Sequence, residues 1–141
     1  MNRLLVWVSA ILVVVFGGRA LVNYMSRSAN EEAASTRVAG FLRGMSAGGD
    51  FQNAFNMWER GAAGAIQDMT QDQYNVEVGR LNAWLAARDL GPRVGHFEVR
   101  GAAMIAPPQG VEGAAVAVSC TIDGKDLTIL AIKDRQLDWL D

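Results

Sequence analysis

The sequence contains a single histidine, His96, and a single cysteine, Cys120. A zinc site needs three or four His, Cys or carboxylate ligands, and a reactive thiolate needs a base or a positive charge beside it. His96 lies at a polar position of its predicted strand, whereas Cys120 alternates with aliphatic side chains. We therefore expect an exposed histidine, a buried inert thiol, and neither a metal ion nor a cofactor.

Asp68 and Asp72 form a pair of carboxylates that could perform acid–base chemistry. They bracket the predicted start of a helix, where acidic side chains stabilise the helix end, so capping explains them more simply. Gly44, Gly48 and Gly49 do not form a phosphate-binding loop, because no strand precedes them and no lysine follows. The sequence therefore predicts no catalytic residue and no enzyme.

Three tryptophans in the second part of the chain could stack on a ligand. Trp58 is in phase with the apolar face of its predicted helix, which favours a core position. Trp84 lies one residue away from the apolar stripe that runs from Tyr74 to Leu85. We therefore expect Trp84 at the edge of a pocket or at a contact surface.

The N-terminal stretch from Leu4 to Met25 is predicted to enter a membrane. Residues 4–16 carry no charge, and about 20 apolar residues are needed to cross a hydrocarbon core of about 30 Å. A cleavable signal peptide is the alternative, although its best cleavage site contains Arg19 between Gly18 and Ala20. We expect an uncleaved single-pass anchor, with lipid around residues 4–25 and the following domain in the periplasm.

Small residues within this segment indicate a second role for it. They would allow another membrane helix to approach closely, where packing drives association in lipid. The predicted membrane-helix contact consists of Ser9, Ala10, Gly17 and Gly18.

The charge of the remaining chain limits its partners. Apart from Arg3 and Arg19, which accompany the hydrophobic segment, there are 11 basic and 15 acidic side chains. Nucleic-acid binding and the electrostatic attachment of a polybasic segment to anionic lipid both need an excess of positive charge. A nucleic-acid partner is therefore not expected.

Periodicity predicts three helices and then strands. Residues 28–45 repeat apolar side chains at helical spacing, Asp50 caps a short second helix, and Thr70 with Gln73 forms a capping box for the third. After Pro92 the period changes to two, and Asp123-Gly124 predicts a hairpin. The strand residues predicted to face inward are Phe97, Val99, Ala103, Ile105, Val116, Val118, Cys120 and Ile122.

This order resembles the NTF2-like superfamily, also called cystatin-like α+β, and in particular its small exported or membrane-anchored bacterial domains. The resemblance covers roughly residues 35–141. It is carried by the helix–Gly-Asp-aromatic–helix stretch at 41–51, the helix opening Met69–Tyr74, and the closing strands at Leu127–Trp139. It implies about three helices packed on a curved antiparallel sheet of about four strands, with a conical pocket between them.

The sequence thus predicts a membrane anchor over residues 1–27 and an NTF2-like α+β domain over residues 28–141. The favoured function is a non-enzymatic interaction domain, an accessory or assembly subunit of a larger membrane or envelope complex with a protein partner. The alternative is a small-ligand-binding module with an apolar pocket. An enzyme would need a titratable group inside the pocket, and none of the predicted inward residues is a credible acid or base.

Overall fold

The computed structural model describes residues 26–141, and the predicted α+β class is confirmed there. Helix α1 covers residues 26–45, and no helix within 26–141 is long and apolar enough to cross a bilayer. The predicted anchor at Leu4–Met25 lies outside the described residues. The other elements are α2 (Phe51–Glu59), α3 (Gln71–Ala86), β1 (Phe97–Ile105), β2 (Ala115–Ile122), β3 (Lys125–Ile132) and β4 (Asp138–Trp139).

The starts of α2 and α3 are fixed by the capping residues that the sequence predicts. The side chain of Asp50 accepts hydrogen bonds from the backbone N–H groups of Gln52 and Asn53. Thr70 and Gln73 form the reciprocal capping box, with N···O distances of 3.2 and 2.9 Å. Both interactions satisfy N–H groups that a helix start leaves without partners, and both predictions are confirmed.

The four strands form an antiparallel meander in the order β1-β2-β3-β4. The turn between β2 and β3 places Asp123 and Gly124 at positive φ, +48° and +82°, as a tight hairpin requires. β3 is buried on both faces: Ile129 and Ala131 join the main core, and Leu130 and Ile132 join a small outer cluster. β3 lies inside the sheet, with β2 on one side and β4 on the other.

A β-bulge at Arg100 reverses the alternation of β1. Before it, Val99 pairs with Cys120; after it, Ala102 pairs with Val118 and Ala103 with Ala117. Ala102 and Met104 consequently pack on the main core, while Ile105 joins the outer cluster. The prediction that Ala103 and Ile105 point inward is wrong, because the extra residue shifts every later side chain to the other face.

The main core lies between the inner face of the sheet and the helices. Val118, Cys120 and Ile122 are buried against Leu81 and Leu85 of α3, and Tyr74 packs at the side of the same cluster. An aromatic group fills the space beneath the sheet. The helices contribute all of its members except Trp139, which comes from β4; the group consists of Phe41, Phe55, Trp58, Tyr74, Trp84 and Trp139.

The direction of α1 decides which end of the domain lies near the predicted anchor. Ser46, after α1, forms a β-bridge with Val94, whereas Glu31 accepts a hydrogen bond from the backbone N–H of Met104 at 3.4 Å. α1 therefore runs antiparallel to β1. Its first turns lie at the end of the sheet where β1 finishes and β2 starts.

Candidate functional site

The residues with catalytic or metal-binding potential are not brought together by the fold. His96 is exposed and contacts Asp123 through its backbone, and Asp68 and Asp72 are exposed near the start of α3. Within residues 26–141, no three His, Cys, Asp or Glu side chains gather closely enough to hold a metal ion. Cys120 is buried, and desolvation raises the pKa of its thiol from 9.0 to about 11. The thiol is therefore protonated at neutral pH.

Trp84 lies within the aromatic group and is half-buried. Its ring stacks on Trp139 and meets Phe41 and Trp58 edge-on, with centroid separations of 5.9 and 6.3 Å. The indole N–H of Trp84 is buried without a hydrogen-bond partner among the described residues. Trp84 thus closes the side of the core between α3 and β4. Ser9, Ala10, Gly17 and Gly18 lie outside the described residues.

The most unusual side chain in the fold is Arg37, a cation that is only 8% exposed. Its guanidinium donates hydrogen bonds to the carbonyl oxygens of Met57 at 2.6 Å, Ile132 at 3.0 Å and Trp58 at 3.3 Å, and also to that of Arg135. Two of these carbonyls belong to the last turn of α2, where the helix dipole favours positive charge. Arg37 therefore joins α1, the end of α2 and the β3–β4 turn.

Gly61 makes room for this guanidinium. Its φ of +79° is a conformation that other residues rarely adopt, and a Cβ there would lie 2.7 Å from the Nε of Arg37. Any side chain at position 61 would therefore displace Arg37 or the loop.

Burial leaves the charge of Arg37 only partly compensated. Desolvation lowers its pKa from 12.5 to about 10, and the carboxylate of Asp134 partly opposes this decrease. No carboxylate among residues 26–141 forms an ion pair with Arg37 within 4.0 Å. The backbone carbonyls carry only partial charge, so they do not cancel the full positive charge of Arg37.

Arg37 lies at the base of an open groove of about 480 Å³ between α1 and the end of the sheet. Buried apolar side chains, among them Ala34, Val116 and Ala131, form the floor. Exposed Ala29 and Ala33 of α1 form one wall. The rim carries Arg60, Lys133 and Asp134.

No protein-family model, curated protein or solved structure matches this chain. The NTF2-like resemblance therefore stays a prediction. The groove has to be interpreted from its own chemistry.

An apolar floor with three basic side chains and one carboxylate suits a ligand that is both apolar and anionic. The apolar part would gain by leaving water, and the anionic part would meet Arg60 and Lys133 beside the partly compensated charge of Arg37. Both rim cations are exposed, and no ion pair forms on either within the described residues. The groove can bind and orient such a group, and it contains no histidine or thiol.

Sequence reasoning did not identify Arg37, Arg60, Lys133 or Asp134. One signal was present, because Arg37 occupies the apolar stripe of α1 formed by Ala34, Val38 and Phe41. A charge in a buried stripe needs specific partners. The partners themselves come from α2 and β3, distant in sequence, and no local pattern shows them.

Proposed function

We propose that the protein is a membrane-tethered, non-enzymatic interaction domain, an accessory or assembly subunit of a larger membrane or envelope complex. The observation that carries the proposal is the exposed start of α1. Residues 26–33 are helical, yet the first buried residue of the helix is Ala34. About two turns of helix are thus largely exposed, with only Asn30 and Glu31 partly buried, directly after the predicted anchor.

The exposed start of α1 offers a surface that another protein can cover. Ala29, Ala33 and Thr36 line one side of this helix, between the groove and a second depression that includes Glu32 and Met57. Small side chains allow a partner helix or loop to approach the backbone closely. The inner face of the sheet carries aliphatic side chains and a protonated thiol, which suit packing better than proton transfer.

Affinity purification of the full-length chain from membranes in mild detergent, followed by mass spectrometry, tests the proposal. We expect a stoichiometric protein partner that is lost in Thr36→Trp and retained in Ala83→Trp. Both positions are exposed and helical, but Thr36 lines the second depression and not the groove, and Ala83 lies on α3. Equal recovery from both variants, or no partner at all, would contradict the proposal.

The role of the predicted anchor is tested by exchange. Replacing Leu4–Met25 with an unrelated single-span anchor of the same orientation should preserve membrane attachment. Recovery of the partner should decrease if Ser9, Ala10, Gly17 and Gly18 form a membrane-helix contact. Undiminished recovery would show that the domain alone carries recognition.

The periplasmic location is tested by labelling. Cys120 is buried, so the reporter is a new cysteine at exposed Gln109 in a Cys120→Ala background. We expect an impermeant thiol reagent to react with it in spheroplasts. Labelling only after lysis would place the domain in the cytoplasm.

The groove favours a second candidate function, a small-ligand-binding module. The floor of the groove is apolar, as this alternative requires. The groove lies at the end of the domain, because aromatic side chains fill the space beneath the sheet.

A further inference from the structure

We infer that the groove at the start of α1 binds an anionic phospholipid of the membrane that holds the protein. The inference rests on the membrane attachment proposed above and names a ligand for the second candidate function. Three observations support it: the position of the groove, its charge, and its apolar floor.

The position follows from the end of the described chain. The groove begins at Ala29, four residues after Met25, where the predicted membrane segment ends. In a helix, four residues span about 6 Å. With the predicted anchor in the bilayer, the mouth of the groove would lie at the level of the lipid headgroups.

The charge of the groove is opposite to that of the whole domain. The domain is acidic, but the groove contains Arg37, Arg60 and Lys133 against Asp134 alone. Arg37 is nine-tenths buried and has no carboxylate partner within the described residues. An anionic headgroup would complement the excess positive charge in the groove. Such binding at one defined site differs from the general attraction of a polybasic segment to an anionic membrane surface.

The floor explains why a lipid fits better than a free anion. Ala34, Val116 and Ala131 are buried hydrophobic residues beneath the opening, and Ile132 lies beside them. Ala34, Val116 and Ala131 would cover the first methylene groups of an acyl chain, each of which contributes about 0.8 kcal/mol when it leaves water, whereas Ile132 borders the groove with its backbone and packs in the outer cluster. Inorganic phosphate would gain nothing from this surface.

The test measures binding of short-chain lipids that are soluble as monomers, so that binding to the groove is separated from attachment to a bilayer. Full-length protein in a nonionic detergent is titrated with dihexanoyl phosphatidylglycerol and with dihexanoyl phosphatidylcholine. Native mass spectrometry counts the bound lipid. We expect one phosphatidylglycerol per chain, bound in preference to phosphatidylcholine.

Two matched variants locate the site. Arg60→Gln with Lys133→Gln removes both rim cations, and we expect about 25-fold weaker phosphatidylglycerol binding, because each exposed cation contributes about fivefold. Arg43→Gln with Arg93→Gln makes the same change of charge at the far end of α1, where both side chains are exposed. That control should bind normally. An equal loss in both variants would indicate general attraction of anions and overturn the inference.

Other outcomes separate the remaining occupants. Glycerol phosphate that binds as tightly as phosphatidylglycerol would identify a free phosphate site and overturn the lipid assignment. If a photo-reactive residue at exposed Ala62 crosslinks to a protein in membranes, the groove is occupied by a protein partner and not by a lipid. Lipid binding by a chain that does not fractionate with membranes would instead refute the tether and leave the ligand assignment standing.

Discussion

The ring of Trp139 lies flat on the ring of Trp84, with centroids 3.9 Å apart and planes inclined by 10°. The indole N–H of Trp139 also donates a hydrogen bond to the backbone carbonyl of Trp84 at 2.7 Å. β4 contains only two residues and pairs with β3 through Ile129 and Leu130. Stacking on α3 therefore adds to a short sheet pairing in holding the end of the chain in place.

We predict that Trp139→Ala lowers the free energy of unfolding by about 2–4 kcal/mol, near the range for losing a large aromatic side chain. Trp139→Phe should keep the stacking and lose mainly the hydrogen bond, at about 1 kcal/mol. Urea unfolding of the full-length chain in nonionic detergent, followed by circular dichroism, measures both. Equal losses would show that the stacking contributes little.

We predict that Arg37→Lys destabilises the protein by about 2–4 kcal/mol. A lysine ammonium cannot reproduce the planar fork that reaches four carbonyls on three elements, and buried carbonyls would lose their donors. The control is Arg100→Lys, in an exposed ion pair with Asp126 at 3.1 Å, where we expect less than about 1 kcal/mol.

Salt dependence gives a second test of the Arg37 interaction. Because its partners are buried carbonyls and not exposed carboxylates, the loss in Arg37→Lys should be the same at low and high salt. A loss that disappears at high salt would mean that Asp134 and other charges, instead of the carbonyls, hold Arg37.

The bulge at Arg100 predicts that the same substitution has unequal effects on stability at two adjacent alanines. Ala102 packs on the main core and Ala103 is exposed on the outer face. Ala102→Asp should destabilise the domain by at least about 2 kcal/mol, because a carboxyl group would be buried without a partner. Ala103→Asp should change stability by about 0.5 kcal/mol or less. Thermal unfolding distinguishes them, and the reverse order would mean that β1 has no bulge.

Sequence reasoning predicted the local features of the fold and missed the bulge in β1. The capping box at Thr70 and the turn at Asp123-Gly124 depend on residues close in sequence, so both could be predicted. The bulge could not, because Gly101, Ala102 and Ala103 are similarly small and fit either face. With no difference in size or polarity across these positions, alternation gives no sign of the extra residue.

The groove could not be predicted from the sequence for a related reason, since its residues are far apart along the chain. Trp84 could be singled out because it departs from a helical stripe, but its stacking partner Trp139 is 55 residues away along the chain. The groove combines α1, the loop after α2 and the end of the sheet, so its basic rim exists only in the folded chain. A predominance of acidic residues in the composition masked this local positive charge.

The buried thiol of Cys120 predicts a specific dependence of stability on pH. Its pKa is about 11 in the folded chain against 9.0 when solvated, so the unfolded chain loses this proton first. The contribution of the protonated, buried thiol to stability is therefore complete below pH 9 and declines between pH 9 and about 11, by at most about 2 kcal/mol once partial solvent screening is allowed for. Cys120→Ala has no such titration. The difference in unfolding free energy between the two proteins should shift in favour of Cys120→Ala across this range.

Urea unfolding of both proteins at several values between about pH 8 and 11 measures this difference, since every other titrating group is common to the pair. A thiol reagent adds an independent check: Cys120, whose Sγ lies 3.5 Å from the carbonyl oxygen of Leu127, should react only after unfolding. A cysteine at exposed Gln109 should react at once. Parallel pH profiles for the two proteins, together with rapid native labelling of Cys120, would show that the thiol is solvated and that the inner face of the sheet opens to water.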